Sequence, residues 1–425
     1  MKTSVLIFPS EGSNAIELHD ALSTCVNVKL YGASSVERQG RFLFENYIGG
    51  IPTIFEANFI NEFNKILEDN NIDIIFPTHD TVALFLKRNE SMLRARIVSG
   101  DLKTVEVCRS KILTHEMFED EDFIPKRYKS KNENIQLPIF LKPDVSEGSK
   151  GAKIIQNESD LYSVDWESNL ITEYLPGIEI TVDCFTDKEG VLRYISPRSR
   201  DRVMAGMSVA GSIMPATDEI KKIAYKINSR LNFLGLWYFQ LRADVNGLMK
   251  LMEISSRCSG TMCLTRAKGI NLPLLSIYTM LGYDLNVVDN DYNVSMERWL
   301  IGGYSIDYVY DTIYVDFDDT IILNGKINTK MIAYLYQCRN HHKKIILLTR
   351  HAGNIYNDLA SVALSLNLFD EIITIENSKT KSDYISVPKS IFIDNSYNER
   401  LDVANKKGIP VFDVDGVDFL LNYKC

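Results

Sequence analysis

Short apolar runs separated by amphipathic stretches mark the start of the chain as alternating strands and helices. Val5 to Phe8 reads as a strand, Pro9 to Ser13 as a loop, and a helix begins at Asn14. VNVKLYG is a second strand, and NIDIIFPTHD a third that follows an amphipathic helix around Phe59 to Leu67. Such alternation predicts a parallel sheet with ligands at the carboxyl ends of its strands. His79 and Asp80, just after the third strand, are placed either to contact a substrate or to cap the helix starting near Thr81. In the middle of the chain the pattern changes to a period of two. Phe239 to Val245 and Leu248 to Ile254 are strands of a hairpin, with Asn246-Gly247 as a turn suited to positive φ at both positions. Near the end, IYVDFDD, KKIILLTR and SIFIDN are again apolar runs closed by polar residues, the mark of a further α/β unit.

Composition narrows the class of function. A chain of 425 residues splits into two or three domains. A net charge of −9 argues against nonspecific nucleic-acid binding, since nothing offsets phosphate repulsion. Seven cysteines are scattered without CxxC spacing, as expected of reduced cytosolic thiols and not of a zinc site. No signal peptide or membrane-length apolar run is found, so a cytoplasmic protein without membrane or nucleic-acid partners is expected. The first loop carries one glycine, Gly12, and no dinucleotide fingerprint.

The hairpin carries the first candidate chemistry. Glu253 and Ser255 are two apart and share a strand face, Gln240 lies near the end of the other strand, and Arg257 continues the alternation. Oxygen donors beside a guanidinium suit a Mg²⁺-bound polyphosphate. Upstream, Lys111 begins a helix and Lys142 ends the strand PIFLKP, followed by the Gly/Ser-rich loop DVSEGSKGAKII, able to cover phosphates with its backbone amides. Then comes the strand LITEYLPGIEITVDCF. QLRADVNGLMKLMEISSR, preceded by these elements in this order, resembles the metal-binding segment of ATP-grasp ligases in the branch that includes carbamoyl-phosphate synthetase. The resemblance implies MgATP (or MnATP) as cofactor, with Gln240, Glu253 and Ser255 at the metals and Arg257 in catalysis. It implies nucleotide contacts at Lys111, Lys142, Ser146, Gly148, Ser149, Glu173, Leu175 and Glu179. Glu173 and Leu175 would offer backbone groups to adenine and Glu179 would bind the ribose. Ser255 stands where the family has Asn, and Ser256 where it has Pro. Arg198, Arg200 and Arg202 alternate, so on one strand they share a face and suit a site for an anionic acceptor or the acyl-phosphate and, equally, a solvated edge; Gly206 and Gly211 suggest a flexible loop over the site.

The C-terminal unit resembles haloacid dehalogenase (HAD)-like phosphatases through Asp316-Phe317-Asp318-Asp319-Thr320. A carboxylate at a strand end attacks phosphorus, and one two residues later protonates the leaving group and then activates water. The resemblance implies Asp316, Asp318, Thr349 and Lys379 or Lys381 in catalysis, and Asp316, Asp318 and Asp394 at a metal, with Asn398 or Glu399 assisting. The interval between Thr320 and Thr349 is too short for a large cap. The expected fold is therefore α/β: a Rossmann-like pre-ATP-grasp unit (1–107), ATP-grasp α+β lobes (108–306), then a capless HAD-like Rossmannoid domain (307–425). The expected function is bifunctional: ADP-forming ligation of a small-molecule carboxylate and amine, the amine being phosphorylated in one version, joined to phosphomonoester hydrolysis. A small-molecule kinase and a nucleotide-binding scaffold are the alternatives.

Overall fold

The computed structural model describes residues 2–148, 150–376 and 378–422. Its contacts divide the chain into two compact units, one running through Ile301 and the other beginning at Gly302.

In the first unit, Thr3–Phe8 is the central strand of a five-stranded parallel sheet in the order 46–48, 28–33, 3–8, 74–77, 96–97. Val5, Leu6, Ile7 and Phe8 are at most 1% exposed, as a strand covered on both faces requires. The helix Gly12–Leu22 starts two residues earlier than Asn14. One core cluster joins Val5, Ile7, Leu18 and Ile74 of this layer to Phe185, Leu236, Met262 and Ile277, so the layer and the following lobes share an interior.

Two antiparallel four-stranded sheets follow. The first has the order 127–128, 169–173, 139–143, 153–155; the second has 192–199, 179–186, 235–243, 249–255. The second sheet is two-faced. Ile180, Val182 and Cys184, with Trp237, Phe239 and Leu241, enter the core against Ile220, Ile223 and Ile227 of the helix Asp218–Arg230. That helix is anchored by Thr217, whose side chain accepts from Ile220 N, and has acids in its first turn and Arg230 in its last. The opposite face of the sheet carries polar residues.

The hairpin turn differs from the expected one. Only Gly247 has positive φ, at 83°, and Asp244 Oδ1 accepts from Asn246 N and Leu248 N, making a longer loop than the two-residue turn expected at Asn246-Gly247. The strands are Gly235–Ala243 and Met249–Ser255. Their register shifts: Gln240 opposes Glu253 while Leu241 opposes Leu251, which leaves Met252 as a bulge. Leu251 therefore enters the core while Glu253 and Ser255, of the same parity, face the other way.

The second unit holds a parallel sheet in the order 371–374, 344–349, 312–315, 390–393, 411–412, with the strand before Asp316 at its centre. Ile313 and Val315 pack on Met331, Leu335 and Leu359 on one side, and Tyr314 on Phe392 and Val403 on the other. Among the described residues no helix is long and apolar enough to cross a membrane, and the six described cysteines are free.

Candidate functional site

The polar face of the second sheet is ordered by its register. Arg198, Thr181, Gln240 and Glu253 are cross-strand neighbours in one row, and Ser196, Asp183, Tyr238 and Ser255 form the next. A cavity of about 440 Å³ lies over this face and reaches Gly12 and Asn14 of the first loop and helix. A smaller recess of about 60 Å³ adjoins it, lined by Lys111, Ser146, Glu253, Ser255 and Arg257. The fold thus brings together the hairpin residues and Lys111, which are more than a hundred positions apart.

Lys142 is buried and Lys111 half-buried. Lys142 is 7% exposed; its Nζ donates to the carbonyl of Met252 at 2.7 Å, the residue left unpaired by the bulge. Burial pushes its pKa down to about 8, against the opposing pull of Glu253. Lys111 Nζ donates to the carbonyls of Ser146 (3.0 Å) and Asp144 (3.3 Å), and burial also lowers its pKa. Among the described residues neither lysine makes an ion pair. A buried and a half-buried ammonium group, both bonded to carbonyls, suit an incoming polyphosphate. Ser110 positions Lys111 by capping its helix and donating to Asp144 Oδ1 at 2.8 Å.

The hairpin side chains are engaged with each other, with Arg200 and with Asp80. Gln240 takes the amide orientation in which its nitrogen donates to Glu253 Oε1 (3.2 Å) and its oxygen accepts from Arg200 Nη1 (2.9 Å). Ser255 Oγ donates to Asp80 Oδ1 at 2.6 Å, and Arg257 donates to Asp80 Oδ2 through Nε (3.0 Å) and Nη2 (2.7 Å). Burial raises the Asp80 pKa, but Arg257 and Ser255 outweigh it, so the carboxyl lies below its ordinary range. His79, at the position before the helix Asp80–Arg88, makes no capping bond; it meets Glu147 of the Gly/Ser-rich loop at 2.5 Å. The helix-capping alternative for this pair is therefore replaced by contacts to the site. Asp80 lies 175 positions from Ser255, and nothing in the local sequence marks that partnership.

The remaining nucleotide candidates lie on the two sheets. Glu173 Oε1 accepts from Lys126 N at 2.8 Å, Leu175 is buried, and Glu179 pairs with Arg200 at 2.9 Å and Arg242 at 3.7 Å. Ser146 lends its carbonyl to Lys111, and Gly148 meets the tip of the 202–212 hairpin. Ser149 lies outside the described residues. The three alternating arginines do not share one strand. Arg198 is on Leu192–Ser199, is 1% exposed, and holds Asp183 at 2.9 and 3.2 Å; Arg202 is on the separate strand Arg202–Met204, facing Glu297. The loop expected around Gly206 is the tight Ala205-Gly206 turn, and Gly211 lies within the strand Met207–Ser212.

In the second unit, Lys381 Nζ donates to Asp316 Oδ1 at 2.6 Å and also to Asp394. Lys379 instead gives its carbonyl to Arg350, which leaves Lys381 as the lysine at the carboxylates. Burial raises the pKa of Asp316, and burial with the neighbouring Asp316 raises Asp394 to about 6. Thr349 is buried at the end of its strand, with no hydrogen bond of good geometry to its hydroxyl. Asp318 is half exposed and binds His351 Nδ1 at 2.8 Å, while His351 Nε2 meets Asp358 at 2.6 Å. Glu399 pairs with Arg350. His351 was not among the expected residues; its place directly after the strand closed by Thr349 and Arg350 is the only local signal. Among the described residues no group of three or more His, Cys, Asp or Glu is set to hold a metal, so a cation at either centre would complete its shell with substrate oxygens or water.

A family model described as "ATP-grasp in the biosynthetic pathway with Ter operon" matches residues 165–299. No curated protein matches the sequence. Among solved structures, biotin carboxylase from Campylobacter jejuni in a β,γ-ATP complex is similar at 17% identity and TM-score 0.58, covering 69% of this chain and 74% of that one. N5-carboxyaminoimidazole synthetase from Staphylococcus aureus, complexed with ADP, is similar at 14% identity and TM-score 0.59, over 70% and 82% of the two chains. L-amino acid ligase from Bacillus licheniformis follows at 14% identity and TM-score 0.50, over 66% and 74%. The chain has an α/β ATP-grasp-type fold with Rossmann-like and ATP-grasp lobes.

Proposed function

We propose that the first unit is an ADP-forming ligase that uses MgATP to activate a small-molecule carboxylate for attack by an amine. The carrying observation is the pair of lysines, half-buried Lys111 and buried Lys142, which both feel the charge of Glu253 and donate to carbonyls. Complexes of similar structures with ATP or ADP support the same cofactor. Bound MgATP supplies the phosphoryl group and the cation that neutralises it. Lys111 and Lys142 neutralise charge on the phosphates, Glu253 offers the cation a full carboxylate, and Arg257, aimed by Asp80, faces the developing charge. Glu179, Glu173 and Leu175 are assigned to the nucleoside, and Ser146 and Gly148 to the phosphate-covering loop. Gln240 and Ser255 reach a cation by giving up their bonds to Arg200 and Asp80. ADP release with paired carboxylates and amines tests the reading. Glu253→Gln abolishes ADP formation if it is right, and Ser255→Ala only weakens it.

The second unit is proposed to hydrolyse a phosphomonoester of a related metabolite. The support is the buried group of Asp316, Asp394 and Lys381 at the strand ends of a parallel sheet. Two buried carboxylates held by one lysine fit a divalent cation. Asp316 is the nucleophile, Asp318 the acid and base, and Thr349 with Lys381 holds the transferred group. Release of phosphate from p-nitrophenyl phosphate, and its loss in Asp316→Asn, is the test.

A further inference from the structure

The cavity beside the proposed nucleotide site has features that nucleotide binding does not use. Arg198 Nη1 and Thr181 Oγ1 line it, belong to residues only 1% exposed, and have no hydrogen-bond partner. Such groups lose their hydration without return unless a ligand meets them. Arg38 and Arg298 line the same cavity, and among the described residues neither makes an ion pair. A guanidinium and a hydroxyl left open together suit a carboxylate.

A second recess of about 280 Å³ adjoins this cavity and shares the lining residues Pro9, Glu11 and His79 with it. Beyond those residues its wall is largely apolar: Val36, Ile54, Phe55 and Val82. Phe55 is 85% exposed and Val36 51%, an arrangement that leaves apolar surface in water unless something covers it. At the junction, Glu11 Oε1 and His79 Nδ1 are buried atoms without a hydrogen-bond partner. An anion with a wholly apolar body would offer Glu11 Oε1 no hydrogen bond to accept and would add no cation to the Arg38 charge that faces this carboxylate. A ligand with an ammonium next to its carboxylate would.

Resting on the ligase reading for its place in catalysis, we propose that the cavity and its adjoining recess together bind a free α-amino acid with an apolar side chain. Its carboxylate meets Arg198, Thr181 and Arg38, its ammonium meets Glu11, and its side chain enters the recess beside Val36 and Phe55. Titration calorimetry on the full chain, with and without MgADP, compares four probes: L-phenylalanine, L-alanine, 3-phenylpropionate and phenethylamine. L-phenylalanine is expected to bind at least tenfold more tightly than each of the other three, which lack in turn the side chain, the ammonium and the carboxylate. Phe55→Ser, at an exposed position, is expected to reduce the phenylalanine-to-alanine ratio at least fivefold and leave MgADP affinity unchanged. Glu11→Gln is expected to erase the preference over 3-phenylpropionate. Equal binding of the four probes, absence of binding in both conditions, or an unchanged ratio in Phe55→Ser overturns the proposal. Separate titration of MgADP reads the nucleotide site on its own, so failure of the amino-acid pocket and failure of the ligase reading give different results.

Discussion

Lys142 ties chemistry to protonation. With its pKa near 8, the free protein holds it partly neutral in mildly alkaline solution. A polyphosphate beside the ammonium favours the charged form, so nucleotide binding at pH 9 should take up a proton. MgADP titrations in buffers of different ionisation enthalpy check this; identical apparent enthalpies would remove Lys142 from the phosphate site. Stability has its own sign. Between about 8 and the ordinary 10.5 the unfolded chain binds more protons at this lysine than the folded one, so its contribution to stability rises with pH across that window. Asp80 gives a second test. Asp80→Asn removes the charge that holds Arg257 while keeping a hydrogen-bonding group, and a lost partner in a mostly buried pair costs about 3 kcal/mol. The expected outcome is a kcat for ADP formation lowered about tenfold or more, with ATP KM little changed. A change in KM alone would mean that Asp80 serves nucleotide binding and not Arg257. The alternation of Glu253 and Ser255 was legible from the sequence because side-chain parity is local. Asp80 was not, because the contact joins segments far apart in the chain.

The turns and bulges show the same division between local and nonlocal information. The apolar runs announced the strands, and Val5 to Phe8 does form the central one. The bulge at Met252 carries no sequence mark, yet it turns Leu251 into the core and offers a carbonyl to Lys142. Alternation also placed Arg198, Arg200 and Arg202 on one strand, whereas the chain changes sheets between Ser199 and Arg202. At the hairpin tip that follows, Gly206 has φ of 79°, and a Cβ there would stand 2.6 Å from Gly148 Cα. Two glycines thus let the tips of two loops meet beside the recess at Lys111 and Glu253. Gly206→Val both strains that turn and pushes the Gly/Ser-rich loop away. MgADP affinity should fall about tenfold or more, while Tm moves by only a few degrees because the hairpin is peripheral to the core. Unchanged affinity would show that this contact does not position the Gly/Ser-rich loop for the proposed nucleotide.

At the scale of the whole chain, the candidates of the first unit gather on the polar face of an antiparallel sheet and those of the second at the carboxyl ends of parallel strands. Glu253, Lys111 and Lys142 all precede Ile301, and Asp316, Thr349, Lys381 and Asp394 all follow Gly302. The division was partly visible beforehand, since the apolar run before Asp316 restarts a strand–helix pattern, but the core shared across residue 107 was not, because packing between layers has no periodic signature. If the two centres are chemically independent, variants at one should be silent at the other. Asp316→Asn removes the proposed nucleophile with little change in side-chain volume and leaves Lys381 paired with Asp394. It should reduce phosphate-ester hydrolysis at least a thousandfold and leave ADP formation within about twofold. Glu253→Gln should do the reverse. Both activities are measured on the same preparations of full chain, with Tm recorded to exclude unfolding. Loss of both activities in either variant, at unchanged Tm, would mean that the reactions depend on one another through a shared intermediate or shared residues, and the assignment of one chemistry to each unit would fail.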